Sequence, residues 1–315
     1  MLQDQVQEAV ERAAEHGADA ETFDAGRVII EHVSNSSKEH PLLHLPTIMG
    51  IDFSVTKHVL MLWLVAGFVF LVVTLTVRRY LKQDRLVPSG LMNALEAVVE
   101  YVRDTIALPN VGKKWVNVWT PLLLTFFVFI LCANAIGLIP IFELLGLLDY
   151  YVLHTADDSL VKHLLHGGTT ATANYNVTAA LATITFFSII IAGTRAHGFV
   201  KHWMNLVPHG LSPVLYILLI PIELMGMLVR PFALTMRLAA NMTGGHIAIL
   251  AILSFVFLFA QVAGSWLVGA GVGVFASVPI SALLSGLEII VVLVQAYVFT
   301  LLTAVFIGMA IHVHH

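Results

Sequence analysis

The sequence predicts an all-α integral membrane protein with five to six membrane helices. Hydrophobic residues make up 58% of the 315 residues and charged residues only 11%, whereas soluble domains carry about 25% charged residues. The mean hydropathy is +0.87. Apolar runs of about 20 residues, the length that crosses a bilayer as a helix, recur along most of the chain. We therefore expect a membrane domain over residues 58–315.

Residues 1–57 form a hydrophilic extension, which we expect to lie on the extracytoplasmic side. The first spanning candidate runs from His58 to Val77 and ends at a basic cluster that begins with Arg78 and Arg79. Short basic segments next to a membrane helix stay in the cytoplasm. The cluster therefore places the end of this helix inside and the extension outside.

Residues 88–108 carry apolar side chains at helical spacing but too many charged groups to cross a membrane. Leu91, Leu95 and Val98 fall on one face, while Arg103 and Asp104 lie elsewhere on the helix. This pattern predicts an amphipathic helix on the cytoplasmic surface.

The rest of the chain alternates between apolar segments and polar connections. Val118 to Ile139 is expected to cross outward, residues 141–175 to form an outer loop, and Val177 to Ala192 to return. Two long apolar segments follow, about Pro213 to Gly264 and Val278 to Ile311. The first is too long for one perpendicular span, so we expect strong tilt. Because an uncharged, glycine-rich connection joins them, the two helices should form an antiparallel hairpin.

Ionisable side chains are rare in this hairpin. After His202 the formally charged residues are Glu223, Arg230, Arg237 and Glu288. A charge at membrane depth costs about 2.5–3.5 kcal/mol on insertion scales, so a functional role is the default hypothesis for Arg237. Glu223 precedes Arg237 by about 21 Å of helix, on the inner side, and can serve an inner proton path.

In an antiparallel hairpin, Arg237 and Gln295 would lie near the middle of the membrane. His246 and Glu288 would share the outer level, where a carboxylate and an imidazole can pass a proton because the histidine pKa is about 6.5. Asn241 follows Arg237 by four residues and lies on the same helix face. The residues thus predict two polar routes that meet at one fixed positive charge.

The run Arg237-Leu-Ala-Ala-Asn241-Met-Thr-Gly-Gly-His246 resembles the signature of subunit a of F-type ATP synthases. The resemblance continues, in the same order as in the family, in Asn134-Ala-Ile-Gly137-Leu-Ile-Pro140, Asn176-Val-Thr178 and Gln295-Ala-Tyr-Val-Phe. It covers about residues 58 to 311.

The resemblance implies a proton-conducting stator subunit whose last two helices pack against a rotating ring of c subunits. Such a subunit has two offset half-channels and no catalytic site of its own. Arg237 would face the essential carboxylate of the ring. The other implied positions are Glu288 and His246 in the outer half-channel, Glu223 in the inner half-channel, and Asn241 and Gln295 as polar neighbours of the arginine.

By the same resemblance, Asn174 and Asn176 are expected at the outer mouth of the channel, where some members carry aspartate at the position of Asn174. The implied partners are the c-ring, the b subunits of the peripheral stalk and membrane lipid, in a hetero-oligomeric complex without nucleic acid. No cofactor or metal is expected. The implied location is a bacterial inner membrane rather than a mitochondrial one.

The alternative function is a stand-alone secondary cation/proton antiporter that uses Arg237, Glu223 and Glu288. Antiporters usually contain internal repeats. The sequence has no recognisable repeat, which favours the stator subunit.

Overall fold

The computed structural model describes residues 24, 26, 29–30, 54–83, 87–138, 170–205 and 213–312. Within them, five helical stretches are long and apolar enough to cross a membrane, which confirms the predicted all-α membrane fold. These stretches are His58–Leu81, Val116–Leu138, Tyr175–His197, Leu215–Val262 and Trp266–Ile311. The predicted outer loop, apart from residues 170–175, and nearly all of the N-terminal extension lie outside the described residues.

We number the main helices in chain order. They are α1 (Lys57–Leu81), α2 (Leu91–Glu100, continued by the π-helical segment Tyr101–Ala107 and the turn Leu108–Val111), α3 (Val116–Leu138), α4 (Tyr175–His197), α5 (Phe199–Met204), α6 (Pro213–Val262), α7 (Trp266–Val272, continued by the π-helical segment Gly273–Ser277) and α8 (Val278–Ile311). A short 3-10 helix, Ala171–Ala173, precedes α4.

The first part of the predicted apolar stripe of α2 is not buried, and burial along this helix begins at Val102. No residue of Leu91–Glu100 is buried, whereas Val102, Ile106 and Val111 are fully enclosed. Val102 and Ile106 lie within the π-helical segment Tyr101–Ala107, which changes the angle between successive side chains. The position of α2 on the cytoplasmic surface stays a prediction.

The chain divides into two compact units. One comprises Ser34–Gly245 and Gly286–His315, and the other comprises Met1–Val33 and His246–Ser285. In the second unit the end of α6 and the start of α7 pack closely, since a Cβ at Gly269 would lie 2.5 Å from the carbonyl oxygen of Val256. The strong tilt of the long helices stays a prediction.

The core of the first unit joins helices α2, α3, α4, α6 and α8. The rings of Phe126 on α3 and Phe299 on α8 meet edge to face with centroids 5.5 Å apart. The hydroxyls of Thr185 on α4 and Thr303 on α8 lie 3.3 Å apart. The first part of α6 joins this core through Leu234, which is 2% exposed. The core therefore holds both long helices of the proposed site.

Helix α5 folds back onto the end of α4. The ring of His202 occupies the space where a side chain at Gly193 would project. Burial, together with the nearby His197, lowers the pKa of the His202 imidazole, so it stays neutral at neutral pH.

The end of α8 contacts the end of α2 at very close range. Gly308 faces the carbonyl oxygen of Asn110 so tightly that a Cβ would collide with it. One turn further, Nε2 of His312 lies 3.3 Å from the carbonyl oxygen of Val111. Glycine at position 308 is therefore required for this contact.

Gly308→Ala is expected to lower the thermal unfolding midpoint, at a cost of about 1–3 kcal/mol, because the atom it meets is backbone and cannot rotate away. The matched control is Gly67→Ala in α1, where nothing lies within 4 Å of the added Cβ. That control should be neutral or slightly stabilising, since alanine favours a helix over glycine. Equal midpoints for the two purified variants in detergent would contradict the contact.

Candidate functional site

Arg237 lies on the exposed face of α6. Leu234 and Leu238, about 60° and 100° around the helix from Arg237, are 2% and 1% exposed and pack in the core, whereas Arg237 is exposed. The surrounding exposed residues are apolar, with Phe232 61% and Met236 38% exposed. Among the described residues no hydrogen-bond partner or ion pair is found for the guanidinium. The arrangement presents one cation on a helix face whose other exposed residues, apart from Asn241, are apolar or small.

Gln295 is brought to the level of Arg237, but it contacts the backbone of that residue. Its Nε2 donates a hydrogen bond of 3.2 Å to the carbonyl oxygen of Arg237, and the side chain is 4% exposed. The bond joins α8 to α6 from the core side. Gln295 therefore fixes the helix that carries the arginine and leaves the guanidinium donors available.

Glu288 is buried against α6. It is 5% exposed, and a Cβ at Gly245 would lie 2.6 Å from its Oε1. Only glycine leaves room for the carboxylate here. This requirement was not predicted, although the Gly-Gly pair directly precedes His246 in the sequence. His246 follows Gly245 directly in α6. The pairing of His246 with Glu288 stays a prediction.

Glu223 and Arg230 form an ion pair on α6, with Arg230 Nη2 and Glu223 Oε1 3.4 Å apart. The guanidinium also lies over the ring of Phe306 on α8, 5.5 Å from its centroid. Both partners are part-exposed, at 29% and 42%. The predicted inner-channel carboxylate thus has a neighbouring cation that the sequence argument did not assign to it.

Asn241 is exposed on the same face as Arg237, one turn further along α6. The helix face between and beside them carries small residues, since Ala233, Ala240 and Gly244 are also exposed. Small residues allow the backbone of a second helix to approach closely. The face around Arg237 is therefore shaped for contact with another helix.

Asn174 caps the N-terminus of α4. Its side-chain oxygen accepts a hydrogen bond of 2.8 Å from the backbone N–H of Asn176. The side chain of Asn176 itself is exposed. The cap gives Asn174 a structural role, and the outer-mouth role of both residues stays a prediction.

A buried polar cluster precedes this cap. Thr172 donates a hydrogen bond to Oδ1 of Asn134, and both residues are 0% exposed. Thr243 on α6 donates a hydrogen bond of 3.3 Å to the carbonyl oxygen of Ala173. The segment before α4 is thereby tied to α3 and to α6, two residues before Gly245. In the described part of the chain, no group of three potential metal ligands occurs.

Comparison with known proteins gives matches over nearly the whole chain. Residues 59–308 match the family model described as ATP synthase A chain. ATP synthase subunit a 2 of Chlorobium luteolum is 39% identical over 313 residues, which cover 97% of this chain and 81% of that protein. ATP synthase subunit a of Pelodictyon phaeoclathratiforme is 37% identical over 314 residues, with 96% and 80% covered. ATP synthase subunit a of Anaeromyxobacter dehalogenans is 36% identical over 335 residues, with 98% and 77% covered.

Asn174→Ala is expected to destabilise the protein by about 1 kcal/mol, because the first turn of α4 loses its cap. Asn174→Asp should keep the cap, since aspartate accepts the same hydrogen bond. Asn176→Ala is the matched control, because its backbone N–H is the donor and remains. Thermal unfolding of the purified variants checks the order, and an unchanged midpoint for Asn174→Ala would contradict it.

Proposed function

Because the chain belongs to the ATP synthase A chain family, we propose that it is the proton-conducting stator subunit of an F-type ATP synthase. It is a multi-pass membrane protein of a hetero-oligomeric complex with other membrane-sector subunits. In the proposal its partners are a c-ring and the b subunits of the peripheral stalk, in a bacterial inner membrane. It has no catalytic site of its own and couples proton flow to rotation.

The observation that carries the proposal is the exposed guanidinium of Arg237 on an apolar face of a spanning helix. An arginine stays charged in any plausible protein environment. Because that charge costs several kcal/mol against lipid, the face requires an anionic partner. A carboxylate on a neighbouring helix of the c-ring meets this requirement.

The guanidinium has two effects on a passing ring carboxylate. It favours the deprotonated form, because an opposite charge nearby stabilises a carboxylate. It also repels protons, so none passes directly from one half-channel to the other. A proton must therefore bind the ring carboxylate, travel with the ring and leave on the other side.

For the outer route we propose Glu288 and His246, with Asn241 and Gln295 as polar neighbours of the arginine. The enclosed position of the Glu288 carboxylate beside Gly245 supports this route. A carboxylate held in a packed site exchanges its proton with a positioned acceptor, for which histidine is suited. Asn174 and Asn176 remain candidates for the mouth of this route.

For the inner route we propose Glu223. Its side chain is 42% exposed and its Oε1 lies 3.4 Å from Nη2 of Arg230, so the carboxylate is accessible to a proton that leaves the ring. Helix geometry places it about 21 Å from Arg237 along α6. The two proposed routes are thus offset along the axis of α6.

Arg237→Ala should abolish coupled ATP synthesis, because the ring carboxylate loses its counter-charge and the half-channels lose their barrier. The measurements are ATP synthesis driven by an imposed proton gradient and ATP-driven proton pumping in membrane vesicles. The control is Arg230→Gln, which removes an equal charge from the same helix. Its effect should be at most about fivefold, since part-exposed ion pairs contribute only ~0–1 kcal/mol.

Normal ATP-driven pumping by Arg237→Ala would contradict the proposal. Cation/proton exchange by vesicles that contain this chain alone would favour the antiporter instead.

Gly245→Ala should slow proton entry from the outer side by up to about 100-fold, because its Cβ displaces the Glu288 carboxylate and misplacement by an ångström can cost that much. Gly67→Ala in α1 is the control, since nothing lies within 4 Å of its added Cβ and the position belongs to neither proposed route nor to the face of Arg237. The measurement is the pH dependence of gradient-driven ATP synthesis. Glu288→Gln should reproduce the Gly245→Ala profile, and equal behaviour of the two alanine variants would remove Glu288 from the outer route.

A further inference from the structure

A groove runs between the C-terminal half of α1 and the start of α2. It has a volume of about 570 Å³, within the range of about 300–1,000 Å³ typical of small-molecule sites. Along α1 its wall changes from the apolar Leu71 and Leu75 to the polar Arg79 and Tyr80, and the start of α2 contributes Ser89 and Met92. None of these residues takes part in the proposed proton routes.

The polarity changes along the helix axis in one direction. From Leu71 to Arg79 the α1 helix advances about 12 Å, which is close to the thickness of the hydrocarbon of one leaflet, about 15 Å. The polar end coincides with the last turn of α1, which carries Arg78 and Arg79. In length and in its change from apolar to polar, the groove therefore matches one membrane leaflet between its hydrocarbon and its headgroups.

Arg79 supplies a cation at the headgroup level. Its side chain is exposed, and it forms no ion pair with the residues that the structure describes. A guanidinium binds phosphate oxygens through two parallel hydrogen bonds. Tyr80 and Ser89 also line the groove, and their hydroxyls can donate to further phosphate oxygens.

The start of α2 keeps the polar end open. Gly90 has a φ of +63°, in the left-handed region, and nothing lies within 4 Å of the position a Cβ would take. The chain thus turns sharply into α2 without placing a side chain at this point. A headgroup can approach the backbone there.

We propose that this groove binds an anionic glycerophospholipid of the cytoplasmic leaflet, with its phosphate on Arg79 and an acyl chain along Leu71 and Leu75. The proposal rests on the orientation given by the basic cluster and not on the proton routes. Cytoplasmic leaflets are rich in anionic lipid, and basic pockets between membrane helices on that side bind anionic headgroups. The bound lipid fills the space between α1 and α2 and holds the two helices together.

The test is native mass spectrometry of the purified complex that contains this chain, with phosphatidylglycerol or phosphatidylcholine added to the detergent. Arg79→Gln is expected to weaken phosphatidylglycerol retention by about fivefold, the fold-change that matches ~1 kcal/mol per basic residue near an anionic membrane surface. Arg78→Gln is the matched control, because Arg78 is adjacent, equally charged and exposed, but does not line the groove. It should retain phosphatidylglycerol as the unmodified chain does.

A second variant separates occupancy of the groove from charge. Ser89→Trp keeps Arg79 but fills the polar end, and it should also reduce phosphatidylglycerol retention. Inorganic phosphate should not displace the lipid, because the apolar wall binds only a molecule with an acyl chain.

Four outcomes would overturn the proposal. Equal losses in Arg78→Gln and Arg79→Gln would indicate general surface attraction, and equal retention of phosphatidylcholine would exclude recognition of the anionic headgroup. Displacement by inorganic phosphate would indicate a simple anion site. A photo-crosslinker at Leu75 that labels a protein subunit instead of lipid would show that a partner helix occupies the groove.

Discussion

The structure depends on one constraint, which is the free-energy cost of a permanent charge on the exposed face of a membrane-spanning helix. Arg237 lies among exposed apolar residues of α6, where contact with acyl chains would cost several kcal/mol. The chain meets this constraint by fixing α6 through the core side of the helix, which borders the exposed face. Leu234 and Leu238 anchor α6 in the core, and Gln295 binds the backbone of Arg237. The guanidinium is therefore held in position through its helix, and all its donors stay available to a partner.

Two adjacent glycines serve the two sides of this helix. Gly245 faces inward, where any side chain would collide with the carboxylate of Glu288. Gly244 faces open space beside Ala240 and Asn241 on the face of Arg237. One glycine therefore admits an internal acid, and the next keeps the outer face smooth enough for a second helix to approach. In the proposed mechanism, Gly245 makes room for the Glu288 carboxylate of the outer route. Gly244, the adjacent residue, belongs to the surface that contacts the ring.

The membrane helices could be predicted because an apolar segment of spanning length satisfies its own backbone hydrogen bonds in a bilayer by forming an α-helix. For example, a helix is predicted from Val118 to Ile139, and one is observed at Val116–Leu138.

Side-chain contacts were harder to predict. The predicted antiparallel hairpin places Gln295 at the level of Arg237, as observed. That Gln295 binds the backbone carbonyl of Arg237 and not its guanidinium depends on the side-chain rotamer. The buried part of α2 includes the π-helical segment Tyr101–Ala107, which the residue pattern does not predict. Glu223 and Arg230 are seven residues apart in the sequence, about 10.5 Å along the helix axis, and the long arginine side chain spans this distance to form the ion pair.

The ion pair between Glu223 and Arg230 determines the distribution of net charge along α6. Glu223 and Arg230 neutralise each other, so Arg237 carries the net charge of the stripe alone. The pair is part-exposed and therefore weakly held, which leaves the Glu223 carboxylate able to exchange partners when a proton arrives. Had Arg230 been unpaired, two cations in succession would have extended the electrostatic barrier towards the inner surface and opposed proton release. In the proposed mechanism, this pairing confines the barrier to the level of Arg237, between the buried Glu288 and the more accessible Glu223.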